Sequence, residues 1–110
     1  MITFSISALL KKMFIAVAEQ SFDNWLSVSG HIEVELEKIA ETLQWIIEEK
    51  QAGRLSEEQA VHNFFLQKNH SASWLSHVCS IGYLEASKIL EIALDAIRTE
   101  IETAIEWKLF

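Results

Sequence analysis

The sequence predicts an all-α fold: a bundle of three to four helices around an antiparallel αα-hairpin. Three observations predict it. Apolar residues recur at helical spacings of three and four along most of a 110-residue chain. The chain has three glycines and no proline, so no helix interior is forced to kink and few of the tight turns of a β-sandwich are available. The stretch Ala52-Gly53-Arg54-Leu55-Ser56-Glu57-Glu58-Gln59 carries the stop signal of one helix just before the start signal of another.

The first segment, about Phe4 to Glu19, is amphipathic. At 100° per residue, Ile6, Leu9, Leu10, Met13, Phe14 and Val17 share a sector roughly 140° wide, opposite Lys11, Lys12 and Glu19. The pattern fades after Val17, and Ser21 to Gly30 reads as a connector pinned to the core by Phe22 and Trp25. The second segment runs from Ser29 to Gln51. Its Ile32, Leu36, Ile39, Leu43 and Ile46 alternate spacings of four and three, the seam of a helix packed along its length. Glu33, Glu35 and Glu37 suit the positive start of that helix, and Lys50 suits its end.

Gly53 then suits the left-handed conformation that closes a helix. Ser56, with Gln59 three residues on, forms a capping box for the next one. So short a joint predicts that Ser29–Gln51 and Glu57–Ser80 pack antiparallel. Ala72, Ser76 and Ser80 form a small-residue stripe that lets another backbone approach. No Asp, Glu, Lys or Arg occurs from Asn69 to Leu84, which suggests a helix covered on most sides. The fourth segment, Tyr83 to Lys108, carries Leu90, Leu94, Ile97, Ile101 and Ala104 at four-three spacing. Gly82 leaves open whether it continues the third segment as one bent helix. Residues 1–28 thus read as an amphipathic helix plus connector. Residues 29–110 read as the hairpin and a long C-terminal helix of the same single domain.

The formal charge is −7, unevenly placed: residues 1–28 sum to zero, while 29–50 carry six acids against two bases. An acidic surface repels phosphate backbones, which argues against nucleic acid as a partner. Cys79 is the lone cysteine, so no internal disulfide is possible, and a reducing, cytoplasmic setting fits. Lys11 and Lys12 break up the apolar start, which makes a poor signal peptide.

No nucleophile elbow, glycine-rich phosphate loop or diagnostic metal spacing is present, so the chain is expected not to be an enzyme and to need no cofactor. A metal-binding reading remains as an alternative: His31 and Glu35, and Glu58 and His62, are i, i+4 pairs, and His70 and His77 lie two turns apart. Glu-x-x-His, the di-iron spacing, does not occur. A second alternative places the first helix on a membrane surface, although two lysines exert a weak pull on anionic lipid. The favoured reading is a protein–protein interaction module, self-assembling as a homodimer or binding another protein by helix-face packing. Trp45, Trp107, Leu109 and Phe110 are its expected anchors, because large aromatics are enriched at interfaces. An apolar end such as Trp107, Leu109 and Phe110 needs cover, from a neighbouring helix or a second subunit.

Overall fold

The computed structural model describes residues 5–20 and 25–110; Phe22, expected as a pin, lies outside them. Four helices follow one another: α1 (Ile6–Ala18), α2 (Trp25–Gln51), α3 (Glu57–Val78) and α4 (Tyr83–Ile105). Among the described residues there is no strand, and the all-α bundle predicted from the periodicity is what forms. The helices pack in a ring. Both α1 and α3 touch α2 and α4, α2 and α4 meet across the middle, and no α1–α3 contact occurs among the described residues. The molecule is 43 Å long, matching the roughly 40 Å of a 27-residue helix.

Each helix buries the stripe that its sequence marks. From α1 come Leu9, Met13 and Val17; from α2, Ile32, Leu36, Ile39, Leu43 and Ile46; from α4, Leu90, Leu94, Ile97 and Ile101. These side chains join one continuous core with Phe64 and Leu75 of α3. The apolar face of α1 packs on the bundle, with Leu9, Met13 and Val17 buried and Ile6, Leu10 and Phe14 partly buried against the core. No described helix is long and apolar enough to cross a membrane.

The hairpin joint is built as its residues dictate. Gly53 takes φ 73°, the left-handed region where a side chain would be strained. The Gln59 amide N–H donates to the Ser56 hydroxyl at 3.2 Å, and the Ser56 N–H donates to the Gln59 side chain at 2.9 Å. Arg54 reaches back to Glu49 at 2.6 Å and braces the turn.

Three boundaries differ from the sequence reading. α2 starts at Trp25, not Ser29, so the end of the expected connector is helical. The seam extends through Trp25, Val28 and Ile32 at spacings of three and four, and both added side chains pack on the core. Gly30 sits on the exposed side, where it costs the helix only about 1 kcal/mol. The third and fourth segments are two helices: α3 stops at Val78, and Ser80 takes φ 54°. The Ile81 N–H closes α3 by donating to the Ser76 carbonyl at 3.2 Å, and the Ser76 hydroxyl donates to the Ile81 carbonyl at 2.6 Å, so this part of the small-residue stripe braces a helix end. Finally, α4 ends at Ile105 rather than Lys108. Glu106 takes φ 64° there and turns the chain back on itself.

Candidate interaction surface on α3

The histidine and carboxylate candidates are not gathered into one site. Among the described residues, no three His, Cys, Asp or Glu side chains lie close enough to hold a metal ion. His31 is exposed on α2, while Glu35, one turn on, is fully buried and pairs with Lys38 at 3.0 Å. His62, His70 and His77 are all exposed on α3. Only Glu58 and His62 share a local environment, a shallow depression completed by Glu57, Val61 and Phe65. Two carboxylates and one imidazole on a single helix offer a cation no enclosing shell.

Three of the four expected anchors belong to the chain's own core. After the turn at Glu106, Lys50 of α2 donates to the Ile105 carbonyl and lies 4.7 Å from the centre of the Trp107 ring. Leu109 is only 6% exposed. Phe110 stacks on Phe64 of α3 at 5.0 Å, and Arg98 of α4 lies over its other side and donates to its carbonyl. Of the two covers that the sequence leaves open for this tail, the structure shows the neighbouring helices. Trp45 alone of the four stays exposed, on α2.

What the sequence reading missed is the outer face of α3. At 100° per residue, His62, Leu66, Ser73 and His77 project opposite the buried Phe64, Ser71 and Leu75, with Phe65 and Trp74 on the two flanks. Phe65 is 57% exposed, Leu66 51% and Trp74 46%. The stretch from Asn69 to Leu84, expected to be covered because it lacks charge, is open along much of its length: His70, Ser73, His77, Tyr83 and Leu84 are exposed with Trp74. The physical reason is the ring packing. Of the helices, α3 touches only α2 and α4, so its far side faces outward. Tyr83 donates to the Asn69 side chain at 3.1 Å, which ties the start of α4 to this face. Trp74 and His77 stack obliquely, with ring centres 6.0 Å apart, which limits the freedom of the imidazole.

The titratable groups elsewhere do structural work. Burial pushes the Cys79 thiol above its ordinary value, so it stays protonated and a weak nucleophile near neutral pH. The hydrogen bond from Arg54, helped by its charge, holds the Glu49 carboxyl below the usual carboxylate value despite some desolvation. Neither group lines the depressions beside Phe65, beside Phe110 or beside Phe14. No protein family, no curated protein and no solved structure matches this chain.

Proposed function

We propose that the chain is a non-catalytic interaction module whose working surface is the outer face of α3. The single observation that carries this reading is that the face, from His62 to His77, is both uncharged and exposed. Outward helix faces of globular proteins carry charge that keeps them solvated. α2 follows the rule, with Glu33, Glu37, Glu41 and Glu48 all exposed. In a chain of formal charge −7, α3 has no charged residue from Asn69 to its end at Val78, and it carries Phe65, Leu66 and Trp74 in water. Exposed apolar side chains along and beside an uncharged helix face mark a place where another macromolecule docks. Binding energy in such surfaces concentrates in a few aromatic anchors, a role that fits Phe65 and Trp74. Exposed Trp45 on α2 is a candidate for a peripheral contact. The lone, protonated Cys79 fits work in a reducing, cytoplasmic setting.

Photo-crosslinking in the producing cell tests the surface. A benzoylphenylalanine placed at Phe65 or at Trp74 should yield a discrete protein adduct. The same group at Glu37, on the charged face of α2, should not. Absence of adducts at both α3 positions, or equal adducts at Glu37, overturns the proposal.

A further inference from the structure

Resting on the reading of α3 as a docking face, we infer that its occupant is a second copy of this chain, with α3 packed antiparallel on α3 about a two-fold axis. Charge selects the occupant. Two molecules of formal charge −7 repel over most of their surfaces, and the outward side of α3 from His62 to His77, which bears no Asp, Glu, Lys or Arg, is where they can meet without opposing like charges. A basic partner would instead be drawn to the exposed glutamates of α2.

The face is also complementary to itself. Along this side run the exposed Glu58, His62 and Leu66, then the half-buried Asn69, then the exposed Ser73 and His77, at spacings of four, four, three, four and four. That series reads the same in both directions. A two-fold axis midway between Leu66 and Asn69 therefore sets Glu58 opposite His77 of the second copy, His62 opposite Ser73, and Leu66 opposite Asn69. The imidazole N–H of His77 then donates to the Glu58 carboxylate, at both ends of the contact. Antiparallel packing also places the negative end of each helix beside the positive end of the other. Parallel packing would set Glu57 and Glu58 against their own counterparts, and that repulsion favours the antiparallel arrangement. Phe65 and Trp74 on the flanks widen the contact. A strip one helix wide makes a small interface, which corresponds to a reversible, micromolar association.

Light scattering coupled to size exclusion, with sedimentation equilibrium from about 5 to about 500 µM, reads the association directly. The wild type should pass from 12.6 kDa to twice that mass with rising concentration. Leu66→Glu brings two carboxylates close to the axis and should weaken the dimer by about a hundredfold or more. Leu66 is half exposed, so the variant should keep its helical circular dichroism. Glu58→Lys and His77→Glu should each weaken it by about tenfold, and the double variant, with the charges exchanged, should regain most of the loss. A wild-type mass of 12.6 kDa throughout overturns the second copy as occupant. Crosslinks from Phe65 and Trp74 to a different protein would in that case leave the docking face standing. A Leu66→Glu dimer of unchanged affinity overturns the face itself, and no recovery in the double variant overturns the antiparallel register.

Discussion

The Glu35 carboxylate loses its water on both oxygens and regains one partner, the Lys38 ammonium at 3.0 Å. Its Oε1 has no hydrogen-bond partner among the described residues. Leaving a buried acceptor unpaired costs about 1–3 kcal/mol, more where the group is charged. Ser71, the other fully buried polar residue in the described chain, is satisfied by Gln67 at 3.0 Å. Both lie 18 residues from Gly53, one on each arm of the hairpin, so they sit at about the same height between α2 and α3. Glu35→Met keeps the length of the side chain and removes the orphaned oxygen. Lys38 is half exposed and can return to water, so the variant should gain about 1–3 kcal/mol in stability. Urea denaturation read by circular dichroism measures the change. A loss of stability would show that the carboxylate is worth more than its burial costs.

The hairpin turn joins two helices through five residues and three kinds of bond, and each can be removed separately. Ser56→Ala deletes the hydroxyl that accepts from Gln59 and should cost about 1 kcal/mol. A midpoint shift too small to resolve would mean that water caps α3 equally well. Arg54→Ala releases Glu49, whose pKa should rise toward its ordinary 4.5, followed by carboxyl shifts in an NMR titration. The sign of the linkage follows from the lowered value. The pair stabilises the fold above pH 4.5, and its contribution is lost as pH falls from there through the folded-state pKa. The advantage of wild type over Arg54→Ala should therefore shrink in acid and stay flat above about pH 6. This joint was legible in the sequence because caps and left-handed glycines act over three or four residues. The joint at Ser80 was not. Its cap comes from the Ile81 N–H reaching the Ser76 carbonyl across a left-handed serine, a residue with no strong preference for that conformation. The early start of α2 was hidden for a similar reason: Ser29-Gly30 resembles a helix start, while the continuation of the seam through Trp25 and Val28 depends on α1 being there to cover it.

At the scale of the molecule, a stripe that lacks charge has two physical origins that look alike in sequence: burial within the chain, or exposure kept uncharged for another surface. The run from Asn69 to Leu84 reads in sequence as the first, and the ring packing leaves half of its residues exposed. The apolar tail offers the same ambiguity with the opposite outcome. Trp107 lies under Lys50 of α2, Leu109 enters the core, and Phe110 is held between Phe64 of α3 and Arg98 of α4. Five residues beyond α4 thus touch three helices, which makes the tail part of the cooperative unit rather than a loose end. Truncating Leu109 to alanine removes most of a buried side chain near the surface, where some collapse is possible, and should cost about 2–3 kcal/mol. The four tryptophans distinguish how that loss is distributed. Trp107 reports on the tail and Trp25, packed on Phe14 at 5.4 Å, on the α1–α2 contact. If the tail is integral, urea transitions followed by tryptophan fluorescence and by helical circular dichroism should move to lower urea together and stay coincident. A fluorescence step that precedes the loss of helix, in wild type or in Leu109→Ala, would show a tail that peels away before the bundle opens.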